Sequence, residues 1–344
     1  NTLDLARVAD RVGYHRYWVA EHHGTPMLAG ASPEVLIGPI AAATSRLRIG
    51  SGGVLLPHYS PLKVAECFSI LSALFPGRID LGLGRSPGTD RVTMRALQRD
   101  RRAAAPDDFP EQLAELLAYL EDRFEPGDPF GRLAALPGGD ERPEVWLLGS
   151  SSDSAAWAAE LGLPYAFADF INPDRGASVE RYRKGLVGSP AQSRSTTCAP
   201  PRARVAVAVW AICAETDLEA HRLASSSRMS MTLLRQGLHI PVPPIAKAER
   251  FLAGRRDSAA LVGPSGRPWR AVLGSPDTVR AGLEAVAAEY GAEEVIVVGI
   301  THDHAARRRS YELIAQAFEL PGARTGVAAQ TKAPETPWAQ PGAA

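Results

Sequence analysis

Serine residues between an apolar segment and a helical pattern form the first candidate binding site. Residues 145–148 read VWLL, which is typical of a buried strand, and an alanine-rich helical pattern follows and ends at Gly162. The N–H groups of a first helical turn have no intrahelical acceptor and carry partial positive charge. This pattern favours phosphate binding at four hydroxyl residues, namely Ser150, Ser151, Ser152 and Ser154. An ordinary helix N-cap is the alternative, and it stays open on this segment alone.

A second group of chemically active side chains follows residues 17–20, whose aromatic and β-branched residues predict a strand. The end of that strand carries one carboxylate and two imidazoles, from Glu21, His22 and His23. Carboxylates and imidazoles are the usual general acids and bases. A histidine at a strand end is more often a structural hydrogen-bonding residue, so the residue type alone assigns no role.

Two further features lie in or at the end of apolar segments. Gly52 and Gly53 interrupt the predicted strand 47–56, and an internal glycine pair is typical of a bulge or a close backbone approach. Arg85 directly follows the predicted strand 79–84. Both features therefore add to the candidate residues that strand ends carry.

The elements that must position these residues alternate along the chain. Seven apolar strands are separated by helical patterns, and they cover residues 17–20, 47–56, 79–84, 145–148, 165–168, 204–213 and 295–299. Alternation without hairpin signals predicts a parallel sheet covered on both faces. A TIM (β/α)8 barrel needs one more strand, and the sequence opens at Asn1 inside a helical pattern, so we expect an α/β barrel lacking its first strand. Barrel chemistry lies at the C-terminal ends of strands, which places the candidate residues in one pocket.

The domain organisation follows from the same pattern. We expect one barrel domain over residues 1–320 and a disordered, small, polar tail over 321–344. Residues 239–268 are proline-rich, charged and without periodicity, and a long loop of this kind is usually functional or disordered. We interpret it as a lid between the last two strands.

Composition excludes several classes of partner. Lys plus Arg and Asp plus Glu both total 38 in 344 residues, so no bulk charge favours nucleic acid or an anionic membrane. No apolar run reaches the roughly 20 residues needed to cross a bilayer. Cys67, Cys198 and Cys213 have no CxxC spacing, which favours a reduced, cytoplasmic protein without a structural disulfide. His302, Asp303 and His304 do not form a complete ligand set, so we expect capping residues and no metal site.

Four segments resemble, in order and spacing, the bacterial luciferase-like flavin monooxygenases. They read YWVAEHH at 17–23, LRIGSGGVLLPHYSPLKVAE at 47–66, GRIDLGLGR at 77–85 and LLGSSSDSAAWAAELGLPYAFA at 147–168. Together with GSPDTVRAGLEAVAAEYGAEEVIVVG near the C-terminus, the resemblance covers most of residues 1–320. It implies an eight-stranded barrel that binds FMN, or in some branches a deazaflavin, at the strand C-terminal ends.

The resemblance also implies roles for the residues at the ends of the first two strands. His22 matches the active-site histidine that supports the reaction of reduced flavin with oxygen, while His23 is expected to point to the other side of the chain. Glu21 is either the partner that orients His22 or an ion-pair residue at the barrel mouth. Gly52 and Gly53 match a non-prolyl cis peptide beneath the flavin ring.

For the FMN phosphate, the resemblance implies one arginine and the start of one helix. Arg85 matches the arginine that meets the phosphate, and a guanidinium suits such a charge-assisted contact. Ser151 and Ser154 match its hydroxyl and backbone donors. A second phosphate arginine has three candidates, and the sequence does not choose among Arg91, Arg95 and Arg102.

The implied function is a two-component monooxygenase. A separate flavin reductase supplies reduced FMN, and a flavin hydroperoxide formed with O2 transfers one oxygen atom to a small organic substrate. A homodimer through the early helices is implied as well. A deazaflavin-dependent oxidoreductase and a non-catalytic flavin-binding protein or inactive truncated homologue stay open, whereas an aldolase would need a lysine at a strand end and Lys63 falls in a helix.

Overall fold

The structure is a computed structural model, and it describes residues 1–85, 90–98, 101–102, 107–133, 136–187, 203–253 and 266–323. Arg99, Cys198, residues 254–265 of the expected lid and residues 324–344 of the expected tail lie outside these ranges.

The described residues form nine strands and eleven α-helices. The strands are β1 (Arg16–Val19), β2 (Arg48–Ser51), β3 (Val54–Leu55), β4 (Ile79–Gly84), β5 (Glu144–Gly149), β6 (Tyr165–Ala168), β7 (Val205–Cys213), β8 (Val272–Gly274) and β9 (Glu294–Val298). The helices are α1 (Thr2–Val12), α2 (Pro33–Ala42), α3 (Pro61–Leu74), α4 (Arg91–Leu97), α5 (Phe109–Glu121), α6 (Ser152–Leu161), α7 (Ala177–Leu186), α8 (Asp217–Leu234), α9 (Ile245–Ala253), α10 (Pro276–Tyr290) and α11 (His304–Ala317).

Seven of the strands form a curved parallel sheet in the order β1-β2-β4-β5-β6-β7-β9. The short strand β3 pairs with the end of β4, and β8 pairs with the end of β7. Within the described residues, β1 and β9 pair with one neighbour each and not with each other. The fold is therefore a TIM barrel that lacks one strand, as expected, and we call the gap between β1 and β9 the seam.

The central strands β4 and β7 are buried on two faces because their side chains alternate between the barrel interior and the surrounding helices. Trp146, Ala166 and Ala206 form an interior cluster with the partly buried Trp18 and Ile296. The residues between them pack outward under the helices, among them Leu81, Leu147, Phe167 and Val207. Burial on both faces explains the continuous apolar strands of the sequence.

A buried ionic network closes the barrel floor at the N-terminal ends of the strands. The guanidinium of Arg16 lies 2.6 Å from Asp80 Oδ2 and 2.6 Å from Glu294 Oε1, and it stacks 4.7 Å from the ring centroid of Trp146. Glu144 contacts Arg204 in the same network. Because Arg16 belongs to β1 and Glu294 to β9, this ion pair joins the two edges of the seam.

The structure corrects the predicted elements at four places. The predicted strand 47–56 is divided into β2 and β3, and β8 was missed because three residues are too short for a pattern. Helix α4 was missed because none of its side chains is buried, so it has no apolar face. The segment 239–268 is not wholly non-periodic, because it contains the amphipathic helix α9, whose Ala248 is fully buried.

No helix in the described ranges is long and apolar enough to cross a membrane. The expected capping role of Asp303 is confirmed, since its carboxylate accepts from the N–H of Ala306 at 2.7 Å. His304 bonds to Asp4, with 2.9 Å between Nε2 of His304 and Oδ2 of Asp4. Among the residues that the structure describes, no three metal-ligating side chains group together.

Candidate functional site

One cavity of about 2460 Å³ extends from the C-terminal ends of the strands to the seam. Of the residues singled out in the sequence, it is lined by Glu21, His22, Gly52, Gly53, Arg85, Ser150, Ser151 and Ser154. Ser152 is exposed and does not line it. The barrel topology thus brings together residues that are far apart in the sequence.

A positive charge lies at the N-terminus of α6. Ser151 is the N-cap residue, and its Oγ accepts from the N–H of Ser154 at 3.4 Å, which is a long hydrogen bond. The Arg85 guanidinium lies 3.9 Å from Asp153 Oδ2 and 5.1 Å from the ring centroid of Trp157. Trp157 fixes one face of the guanidinium, and the side chain remains partly exposed. A guanidinium beside the N–H groups of a first helical turn can bind an anion.

Two of the four serines are engaged in local structure. The hydroxyl of Ser154 donates to the carbonyl of Ser151 at 2.9 Å and lies 3.0 Å from the hydroxyl of Tyr165. The carbonyl of Ser150 accepts from Asn172 at 2.7 Å. The hydroxyl of Ser154, named above as a phosphate ligand, is therefore bonded within the protein. Ser150 and Ser151 line the same cavity.

The three candidates for a second phosphate arginine are all exposed, and none of them lines the cavity. Arg91 and Arg95 belong to α4. Met94 of this helix lines the cavity instead, together with Asp90 and Gln98, which flank the helix at its two ends. Arg85 is consequently the arginine that the described structure places beside α6.

Gly52 and Gly53 are joined by a cis peptide bond, as the resemblance implied. A Cβ atom on Gly53 would lie 2.7 Å from the carbonyl oxygen of Gly82, and one on Gly52 would lie 3.0 Å from Cβ of Trp18. The close backbone approach predicted from the glycine pair is confirmed. The pair gives the cavity a wall of bare backbone.

Glu21 bonds to His23, and not to His22. Its carboxylate is buried and lies 2.7 Å from Nε2 of His23, while it accepts from the Tyr59 hydroxyl at 3.0 Å and the Leu55 N–H at 2.9 Å. Of the two roles left open for Glu21, these contacts favour the pairing at the barrel mouth, here with His23, over the orientation of His22. Because β1 ends at Val19, strand alternation does not extend to these residues, and His23 lines the cavity together with His22.

The imidazole of His22 is partly buried. Burial lowers its pKa below the ordinary value, against the opposing effect of the nearby Glu21 carboxylate. In the described part of the chain, its Nδ1 atom is buried and has no hydrogen-bond partner. An unpaired polar atom of this kind marks a place where a ligand can bind.

Two residues of the loop after β3 were not named as candidate site residues from the sequence. His58 lines the cavity and meets the ring of His23 edge-on at 5.8 Å. Tyr59 was not singled out, and burial together with Glu21 raises its pKa, so the phenol stays protonated. The only sequence signal for this loop was its position between Pro57 and Pro61.

Comparisons with known proteins identify the family. A model of luciferase-like monooxygenases matches residues 1–294. A protein of Escherichia coli K12 named luciferase-like monooxygenase is 41% identical over 316 residues, which are 91% of this chain and 89% of the relative. An N-acetyl-S-alkylcysteine monooxygenase of Bacillus subtilis 168 is 35% identical over 317 residues, or 92% of this chain and 91% of the relative.

Solved structures with the same fold include proteins of different cofactor use. Apo-MsnO8 is 43% identical with a TM-score of 0.79, and the match covers 93% of this chain and 91% of that one. An FMN complex of the oxygenating constituent of 3,6-diketocamphane monooxygenase from Pseudomonas putida is 23% identical, with a TM-score of 0.65 and coverage of 92% and 90%. An F420-dependent secondary alcohol dehydrogenase is 15% identical, with a TM-score of 0.64 and coverage of 94% of both chains. The last two show likeness of fold alone.

Proposed function

The chain belongs to the luciferase-like monooxygenase family, and from this premise we propose that it uses reduced FMN and O2 to oxygenate a small organic substrate. The observation that carries the proposal is the position of Arg85 beside the N-terminus of α6. The same cavity contains the cis peptide of Gly52 and Gly53 and the unpaired Nδ1 of His22.

The residues present fit FMN in two respects. A guanidinium and free helical N–H groups suit a phosphate, whose charge they would partly neutralise. The bare backbone at Gly52 and Gly53 leaves room for a flat ring system to approach. When bound, reduced FMN would supply the electrons for the reaction with O2, and a separate flavin reductase would have to provide it.

The protein's own contribution is binding, orientation and exclusion of water. In this proposal, Arg85 and Ser151 hold the phosphate, and the imidazole of His22 holds or accepts a proton at Nδ1. Glu21 positions the site by tying the end of β1 to β3 and to the loop that carries Tyr59. It touches no reacting atom in this scheme and acts as a positioning residue.

The test of the cofactor proposal is the affinity for FMN. We expect Arg85→Gln and Ser151→Ala each to weaken FMN binding by about 1–3 kcal/mol, because each removes a hydrogen bond to a charged group. The exposed Ser152→Ala is the matched control and should leave affinity unchanged. Titration calorimetry measures the difference, and wild-type affinity in Arg85→Gln would refute the proposal.

A deazaflavin is the competing cofactor within the same fold. Titrating the wild-type protein with FMN and with the deazaflavin F420 compares the two affinities directly. Tighter binding of F420 would replace oxygen transfer by hydride transfer as the proposed reaction. Stopped-flow mixing of the reduced FMN complex with O2 would expose a non-catalytic flavin-binding protein, which should form no stabilised oxygen adduct.

The segment 239–268 is proposed as a lid over the cavity. His239 lines the cavity, His302 Nδ1 lies 2.8 Å from the carbonyl of Val242, and α9 packs against α8. Replacing residues 254–265 with a short Gly-Ser linker leaves α9 in place. We expect more flavin oxidation without product, because water would reach the site. A wild-type ratio of product to flavin oxidised would contradict the lid role.

A homodimer through the early helices and a cytoplasmic location are part of the proposal. Val35 of α2 and both Ile70 and Leu74 of α3 are exposed apolar side chains, at 66%, 45% and 64%. Apolar side chains on neighbouring helices suit burial against a second copy. Light scattering should show a dimer for the wild type and a monomer for Leu74→Asp.

A further inference from the structure

A second polar cluster lines the cavity on the β7 and β8 side, away from Arg85. It consists of Trp210 of β7, Arg235 and His239 after α8, and Trp269 before β8, and we call it the indole wall. The ring centroids of Trp210 and Trp269 are 6.1 Å apart, and the Arg235 guanidinium lies 4.2 Å from the centroid of Trp269. The wall is thus a continuous set of side-chain contacts from the exposed Arg235 to the buried Trp210.

The indole wall contains hydrogen-bonding atoms that lack partners. Within the described ranges, Nε1 of Trp210, Nε1 of Trp269 and Nδ1 of His239 are buried and make no hydrogen bond. Trp210 is only 5% exposed. An indole N–H can only donate, and a buried donor without an acceptor costs free energy. Two such donors on one wall indicate that a ligand brings the acceptors.

The charge of the wall narrows the chemistry of that ligand. Arg235 adds a permanent positive charge over the ring of Trp269. The neighbouring cavity surface is apolar, with side chains of Ala208, Phe170, Ile171, Met231 and Leu234. We propose that the indole wall binds a carboxylate group of an organic molecule whose apolar part lies against these residues. Calling this molecule the substrate rests on the proposed function.

The position of the wall separates this carboxylate site from the proposed phosphate site. Arg85 and α6 follow β4 and β5, whereas the indole wall belongs to β7, β8 and the chain after α8. One cavity therefore offers two anion-binding ends. The flavin phosphate would occupy one end and the substrate carboxylate the other.

The experiment compares acids with their neutral analogues. Phenylacetate, 4-phenylbutanoate and 6-phenylhexanoate, each with its primary amide, are titrated by calorimetry into the flavin-free protein and the FMN-loaded protein. We expect at least one acid to bind about tenfold more tightly than its amide. Arg235→Gln and Trp269→Phe should each reduce the ratio of acid affinity to amide affinity to below threefold. Arg228→Gln is the matched control, because Arg228 is an exposed arginine of α8 that does not line the cavity.

Three results would overturn the inference. The first is equal affinity for acid and amide, or no binding of either. The second is a ratio of acid affinity to amide affinity that is unchanged in both wall variants. The third is competition between FMN and the acid, because the flavin would then supply the hydrogen-bond acceptors for the wall. FMN affinity is measured in the same samples and should not change in the wall variants. A wild-type protein that prefers acids but does not bind FMN would refute the proposed function alone.

Discussion

At the scale of single residues, the sequence identified most of the cavity but not its hydrogen bonds. Glu21, His22 and His23 were recognisable because reactive side chains follow an apolar strand. Their pairing was not recognisable, since it depends on where β1 ends and on Tyr59, a residue 38 positions away from Glu21. The orphaned indoles of Trp210 and Trp269 gave no sequence signal, because an apolar residue type suits a core equally well.

Glu21→Gln tests the positioning role at this scale. A buried carboxylate that accepts three hydrogen bonds is replaced by an amide that must also donate, so we expect a loss of roughly 2–3 kcal/mol in unfolding free energy. FMN affinity should fall as well, because the loop of Tyr59 loses its anchor. Urea unfolding and FMN titration are the measurements. Glu66→Gln on the exposed side of α3 is the control, and equal stability of the two variants would contradict the role.

At the scale of elements, periodicity predicted what long apolar segments determine. The bounds of β4 and β6 agree with those predicted, because each strand is an apolar pattern ended by a charged residue. Helices α4 and α9 and strand β8 were missed. They are short, and their positions depend on tertiary contacts, such as the packing of α9 on α8.

Two glycines of β4 make a matched test of how closely the strands approach. A Cβ on Gly82 would lie 2.2 Å from the carbonyl oxygen of Ser51, whereas a Cβ on Gly84 would lie 3.7 Å from a methyl of Leu55. We expect Gly82→Ala to reduce unfolding free energy by about 2–4 kcal/mol, since backbone must shift, and Gly84→Ala to change it by less than about 1 kcal/mol. Equal effects in urea unfolding would show that the contact at Gly82 is easily relieved.

At the scale of the whole molecule, the floor network exists only because the barrel curves. Arg16, Asp80, Glu144 and Glu294 lie at or near strand starts, where the sequence alone shows charged residues flanking apolar segments. Closing the sheet brings them together with the indoles of Trp18 and Trp146. Contacts between residues 278 positions apart, such as Arg16 with Glu294, could not be read from periodicity.

The floor network makes stability depend on pH. Burial raises the pKa of Glu144, but hydrogen bonds from Arg204 and Trp146 outweigh burial and lower it to about 2. The stabilisation is therefore complete above pH 4.5, the pKa of the unfolded chain, and is lost as pH falls toward about 2. At pH 6, we expect the unfolding free energy of the wild type to exceed that of Glu144→Gln by roughly 1–2 kcal/mol, allowing for solvent screening.

Urea unfolding of both proteins between pH 3 and pH 6 measures this difference, with Glu284→Gln as the control for an exposed helical ion pair. A gap between wild type and Glu144→Gln that stays constant down to pH 3 would show that Glu144 does not titrate in this way.

The two edge strands of the sheet are tied to each other at the floor. β1 and β9 both line the cavity, and all five residues of β9 are partly exposed. The ion pair of Arg16 with Glu294 lies at the N-terminal end of both strands. A substitution at either residue would therefore remove a contact that the two edges of the sheet share.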